Sequence, residues 1–489
     1  MEGPIRLAIQ VRRCRDPDCS RYRAPLRSES EGRFALPQHE FGLDVIAAVG
    51  ALRHAEHRSV PEIHAELARR GVPTCVRSVG NLLDRYDELL ALALTDPGRI
   101  RRLTRTAGRV ILAVDGLQPD VGHEVLWVVR DILSGEVLLA RSLLSGTRAD
   151  LAALLGQVRD ALDVPVVGVI SDGQRSLVQA IADAFPGVPH QRCQFHYLRE
   201  AARPIYEADR HAKVELKKHV RGVRPIERSL EGRDDGEAEA ARGYCAAVRS
   251  ALTDDGRPPL EASGLKLEGR LRAVAASLGR VEGEGGLAAP LKRLRALLEK
   301  GLSATASSWP DVRRAFGWVR RVADILGDAG STGAATRRRL RGLLGAMGRH
   351  AGSAGRLAPA IAHFLKVTRS YWPGLFACYD VPDLPRTNND LEQFFGSHRY
   401  HERRASGRGV AAAGTVVRGS VRVVASAATR LGPVSAADLV PSDLGAWRSL
   451  RDELAGRQRG RTLGRRFRRD PEGFLRSLET TLIKPALPP

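Results

Sequence analysis

The chain has 489 residues, with 77 Lys and Arg against 56 Asp and Glu and a formal net charge of +21; its length calls for two to four domains. Charge of that sign and size selects polyanionic partners, nucleic acid or anionic lipid. There is no apolar run of about 18 residues to span a membrane, and no basic-then-apolar leader follows Met1-Glu2-Gly3-Pro4, so double-stranded DNA is the expected partner and a cytoplasmic, nucleoid-associated location is expected, with no membrane.

In chain order, residues 1–38 are polar and poorly periodic and contain Cys14 and Cys19. Their spacing is half of a zinc knuckle, with His39 as a further ligand, but the set is incomplete. The six cysteines are otherwise scattered and suit a reducing compartment. Residues 39–100 read as helices. Leu43, Ile46, Val49 and Leu52 recur at helical spacing, and Ser59-Val60-Pro61-Glu62 forms a capping box. Ile63 and Leu67 supply a buried stripe, and Gly71 is a natural stop. A second helix carries Val79, Leu82, Leu83, Tyr86 and Leu90 on one face and Arg77, Asn81 and Arg85 on another. That is the pattern of a DNA-binding helix-turn-helix, with a plain helical hairpin as the alternative. The charge of the whole chain tips the reading towards DNA.

Residues 101–106 read as a linker into an apolar strand, Arg109–Val114, that ends at Asp115-Gly116. Strands at Val125–Val129 and Glu136–Ala140, a helix over Ala149–Leu162 and a strand over Val164–Ile170 follow, the last ending at Ser171-Asp172-Gly173. A helix over Ser176–Phe185 and a short strand at His190-Gln191 complete the block. Strand, strand, strand, helix, strand, helix, strand is the order of a ribonuclease H-like fold. A carboxylate at the end of a buried strand faces the crevice where ligands bind in open α/β sheets. Taken alone, either Asp reads more readily as a turn residue bonded to its own backbone than as a ligand.

No strand pattern appears from about 200 to 380, where Leu291–Leu302, Val312–Leu326 and Thr336–Met347 read as helices. Downstream, Asn388-Asn389-Asp390-Leu391-Glu392 opens a helix, and Ser397–Arg408 carries Arg399, Arg403, Arg404 and Arg408, whose forks suit phosphates rather than bases. The stretch after about 435 is loop-rich. With seven arginines and no acid between Gly456 and Asp470, it reads as a basic arm that is disordered or ordered on DNA.

This ordered set, Asp115, Asp172, Cys193-Gln194-Phe195-His196 and Asn388-Asn389-Asp390-Leu391-Glu392, resembles the DDE transposases, nearest the Mutator-like branch and related bacterial insertion-sequence enzymes. The resemblance covers about residues 108–410. It implies an α/β (α+β) ribonuclease H-like catalytic domain, interrupted by a large all-α insertion and preceded by the helix-turn-helix. The expected segments are 1–38, 39–100, 101–200, 201–380 (the insertion), 381–435 (the catalytic domain resumed) and 436–489. It implies that Asp115, Asp172 and Glu392 are the catalytic residues and hold two Mg²⁺ or Mn²⁺ ions, with Asp115 shared between them; in such sites the ions stand about 3.5–4 Å apart. Asp390 competes with Glu392, but only position 392 fits the family spacing. Cys193, His196, Asn388 and Asn389 would support that site, a role favoured over half a zinc site for the Cys-x-x-His pair. A homodimer or larger synaptic complex is implied as well. The activity implied is cleavage and strand transfer at the ends of a mobile DNA element. The alternatives are a domesticated DNA-binding regulator without chemistry, or a nuclease or resolvase of the same fold without strand transfer.

Overall fold

A computed structural model describes residues 8, 10–26, 29–118, 124–407 and 413–483. Two units emerge from its contacts: Met1–Val188 together with Asn389–Pro489, and Pro189–Asn388.

The first unit begins with a small ladder, β1 (Arg12–Arg13) on β2 (Pro25–Leu26). Helices α1 (Leu43–His54), α2 (Val60–Arg69) and α3 (Val76–Leu94) follow. The capping box forms: the Glu62 amide donates to Ser59 Oγ at 3.4 Å, and the Ser59 amide to Glu62 Oε2 at 2.6 Å. Gly71, at φ 75°, ends the α2 turn in a conformation that glycine adopts without strain. Ile46, Val49 and Leu52 of α1 close on Ile63 and Leu67 of α2 and on Val79, Leu82, Leu83, Tyr86 and Leu90 of α3. Gly50 is required where α1 crosses α3, since a Cβ there would lie 2.2 Å from the Tyr86 ring. Gly50→Ala is therefore expected to destabilise the protein by about 1–3 kcal/mol through overpacking, read as a fall in the urea midpoint.

Residues 101–106 are not a linker. They lie inside α4 (Pro97–Ala107), which is capped by Asp96 accepting from the Arg99 amide at 2.8 Å and stopped by Gly108 in the left-handed region. Asp-Pro before the helix and Gly after it are start and stop signals that the polar, arginine-rich composition masked.

Next come β3 (Val110–Leu117), β4 (Val125–Asp131), β5 (Val137–Leu143), α5 (Arg148–Ala161), β6 (Val166–Ser171) and α6 (Arg175–Ala184). Within this unit the strands run in the order β5-β4-β3-β6, with β3 antiparallel to β4 and parallel to β6. Val110, Leu112 and Val114, alternating along β3, pack with Trp127, Val129 and Val169 against Leu151, Leu154 and Leu155 of α5 and Leu177 and Ile181 of α6. By the two-residue period of a strand, Ile111, Ala113 and Asp115 face the other way.

The second unit opens with β7 (His190–Arg192) and continues as helices α7 (Gln194–Ala201), α8 (Arg203–His219), α9 (Val223–Arg228), α10 (Gly236–Thr253), α11 (Ser263–Gly285), α12 (Ala289–Ala304), α13 (Trp309–Gly327), α14 (Gly333–Arg349) and α15 (Ala358–Tyr371). Two cores hold it. Tyr197, Val319, Leu340, Phe364 and Phe376 lie in one, and Leu216, Leu271, Leu294, Leu298 and Trp309 in the other. The chain enters this unit after Val188 and leaves it at Asn388.

The first unit resumes with α16 (Asn389–Ser406), α17 (Ala413–Leu431), α18 (Leu444–Arg469) and α19 (Pro471–Ile483). The basic arm is thus helical. Asp443 caps α18 by accepting from the Gly445 and Ala446 amides at 2.7 and 3.1 Å, and Trp447 and Leu454 anchor its first half. Arginine is a good helix former, and Arg457 at the start of the run pairs with Glu124 and donates to Val416 O at 3.2 Å, so the exposed arginines beyond it lengthen an anchored helix rather than melting it. Helices α1–α3 are not a free-standing module either, because Ala425 of α17 and Trp447 of α18 complete their core.

Candidate active site

Register brings the first two acids together. Ala113 of β3 pairs with Ile170 of β6 in the parallel ladder, and Asp115 and Asp172 each lie two residues further on, near enough that Asp172 raises the Asp115 carboxyl. Asp115 does not follow the strand end as expected. It lies within β3, which continues to Leu117 because β4 pairs with it through Asp115↔Val128 and Leu117↔Leu126. Asp172 lies just past β6, where its Oδ1 accepts from the Gln174 amide at 2.9 Å, a local turn that aims the carboxylate.

The third acid arrives on α16, which packs on β3 and carries Glu392 in its first turn. Asp115 is buried and accepts from the Gly116 amide at 2.8 Å. Burial first, then the neighbouring Asp172 and, more weakly, Glu392 push its carboxyl up to about 7, against the Gly116 bond and Arg399, which lower it. The three acids therefore share one field. A buried carboxyl raised by two others is an unfavourable arrangement that a divalent cation relieves, and three carboxylates are the hard oxygen donors Mg²⁺ or Mn²⁺ takes.

An ionic network fixes α16 far from its acidic end. Arg53 of α1 donates to Glu402 at 2.8 Å, and Arg422 of α17 donates to Asp87 of α3 at 2.8 Å and lies 3.8 Å from Glu402. His54 Nε2 stands 2.8 Å from Asp87, while Arg418 holds Glu88 and Asp84 at 2.8 and 3.0 Å. Burial alone would raise the Asp87 carboxyl, but Arg422 and His54 bring it below the usual range. Between the loop after α1 and α16, His57 and His401 stack with ring centroids 3.4 Å apart. Burial lowers both, and holds His398 at about 4, so these rings are neutral at pH 7 and the stack carries no repulsion. Residue type gave no signal for these partners, since an acid or arginine on a helix face is usually solvated.

The supporting residues divide between the units. Asn389 begins α16. Within the second unit, Cys193 is fully buried and its Sγ accepts from the Asn388 amide at 3.3 Å, and the Gln194 amide donates to Arg386 O at 2.9 Å. Two glutamines missed in the sequence complete this clasp. Gln191 Oε1 accepts from the Cys378 amide at 2.9 Å, and Gln194 Nε2 donates to Leu375 O at 2.9 Å. The first and last segments of the unit are thereby fastened to each other. His196, one turn into α7, is half-buried.

Of the expected DNA contacts, Arg77, Asn81, Arg399, Arg403 and Arg404 are exposed, with Arg404 3.5 Å from Glu62. Arg85 is otherwise engaged: its fork donates to Glu88, one turn on in α3, at 2.7 Å, and it lies over the Trp447 ring of α18. Arg408 lies outside the described residues. Cys14 and Cys19 are close enough for a side-chain hydrogen bond that, after the Arg21 amide, lowers the Cys19 thiol. His39 does not join them; it contacts Pro37 O at 3.0 Å and tilts against Trp447. Among the described residues no third His, Cys or acid completes that pair.

Residues 159–255 match the family described as "Transposase, Mutator family". The match contains Asp172, Cys193 and His196 and leaves out Asp115 and Glu392. No curated protein matches the chain. The family match supports a transposase role, which is chemistry on DNA, and no helix among the described residues is long and apolar enough to cross a membrane.

Proposed function

We propose that this chain is a DDE transposase: it binds the ends of a mobile DNA element, cleaves them and joins the freed 3′ ends to a target. The observation that carries the reading is the buried Asp115 of β3, whose carboxyl is raised by burial and by Asp172, just past the neighbouring parallel strand, and Glu392 of a distant helix. The strand order, with α5 and α6 on one face and Asp115 on the other, supports a ribonuclease H-like catalytic domain. The helices between Pro189 and Asn388 support reading that segment as its all-α insertion. Exposed Arg77 and Asn81 on α3 support a helix-turn-helix, with Arg399, Arg403 and Arg404 lying along DNA phosphates.

Asp115 would bind both ions of a pair, with Asp172 and Glu392 holding one each. Divalent ions bound there supply Lewis-acid activation of the attacking oxygen and charge stabilisation at the leaving one. The protein's own part is to gather the acids, keep Asp115 out of bulk water and hold the phosphate with Arg399, which already faces Asp115 electrostatically. No covalent enzyme intermediate is required.

Metal binding must displace the Asp115 proton. Below its folded value of about 7, apparent Mn²⁺ affinity is expected to rise up to about tenfold per pH unit and then level off. Titration calorimetry at pH 6, 7 and 8 checks this, and a flat profile would contradict a raised carboxyl at the metal. The function itself is tested by incubating the protein with Mg²⁺ and DNA carrying the ends that flank its gene. Joined product supports transposition, hydrolysis alone would reduce it to a nuclease, and no product to a DNA-binding regulator.

A further inference from the structure

Helix α14 of the second unit has five arginines, at 337, 338, 339, 341 and 349, and no acid. Only Arg339 has a carboxylate partner among the described residues, Asp328. Arg337, Arg338 and Arg341 are exposed, yet two of them are held in place. Arg337 lies over the Phe376 ring at 5.1 Å and Arg341 over Trp372 at 5.9 Å. These rings meet edge to face at 4.9 Å, with Phe376 fully buried. A guanidinium laid on a ring uses its face and leaves the N–H edge free, so the stack orders both forks before any ligand arrives and lowers the entropy lost on binding. The two arginines are one turn apart and present their donors side by side.

The neighbouring surface is smooth. Gly342, Gly345 and Gly348 are exposed in the same helix, and a Cβ at Gly342 would meet nothing within 4 Å. Interior glycines weaken a helix relative to alanine, and nothing in the chain's own packing at Gly342 calls for one. Large apolar side chains, which a lipid-binding face would insert, are missing from the exposed part of α14. A backbone-sized polyanion fits such a surface.

We propose that this face of α14 binds the phosphodiester backbone of duplex DNA without reading sequence, with Arg337, Arg338 and Arg341 as its phosphate ligands. The proposal rests on the reading of the chain as a DNA-binding transposase. Its test is fluorescence anisotropy of the full chain on a labelled random-sequence duplex across a salt series. The variant R337Q/R338Q/R341Q should lower the slope of log K against log salt by about 2–3, at roughly 0.9 per phosphate contact. Its melting temperature should stay near that of the wild type, because all three side chains are exposed. G342E should melt no lower than the wild type and bind DNA at least about tenfold more weakly. An unchanged slope in the triple variant, with steep salt dependence in the wild type, overturns this surface alone. A wild type that does not bind duplex overturns the surface together with the reading beneath it.

Discussion

Replacing Asp115 with Asn is expected to abolish DNA cleavage and, in the same molecule, to stabilise the metal-free protein at pH 8. The ordinary carboxyl value of 3.8 is raised to about 7 by burial first and then by Asp172. Between those two pH values the folded state holds a proton that the unfolded chain has released. Stability therefore falls as pH rises through this window, and the full penalty applies above about 7. At about 1.36 kcal/mol per pH unit, a rise of about three units costs about 4 kcal/mol. Asparagine retains the oxygen that accepts from Gly116 and has nothing to ionise, so the variant loses the penalty along with the metal ligand. Urea unfolding in chelator at pH 5 and pH 8 should show the variant's advantage growing with pH, while a gel assay shows no nicked product and retained DNA binding. Wild-type cleavage, or equal stability at both pH values, would remove Asp115 from the centre of the site.

The second large effect is expected at Arg422, far from any reacting atom. Arg422→Met leaves Asp87 and Glu402 buried with one cation fewer, and breaking a buried pair from one side costs about 3–5 kcal/mol. The loss should be partly recovered in Arg422→Met/Asp87→Asn, where the orphaned charge is removed as well. A double-mutant cycle on thermal unfolding measures that coupling. Because Glu402 lies on the helix that carries Glu392, the single variant should also bind Mn²⁺ more weakly while duplex binding through Arg77 and Asn81 is retained. A single variant as stable as the wild type would mean that α16 is held by apolar packing alone.

The C-terminal arginine run shows where composition misleads. Seven arginines without an acid describe a solvated, repulsive segment, yet α18 is held by the cap at Asp443 and the anchor at Trp447 upstream of the run and by Arg457 within it, paired with Glu124. Arg85 errs the other way. Its place on the polar face of α3 reads as free, but its fork is held by Glu88 one turn on and its face by Trp447, several hundred residues away in sequence.

By itself the sequence determined what neighbouring residues settle among themselves: the capping box at Ser59, the buried stripe of α3, the alternation of β3 and the placement of Asp115 and Asp172 near strand ends. Periodicity and caps depend on spacings of two to four residues, which can be read along the chain. The tertiary structure alone decided the parallel register of β3 on β6 that lets Asp172 act on the Asp115 carboxyl, the Gln191 and Gln194 clasp, and the pairing of Asp87 with Arg422 and Arg53 with Glu402 across 335 and 349 residues. Charges so far apart in sequence are solvated in the unfolded chain and acquire partners only when packing removes the water between them.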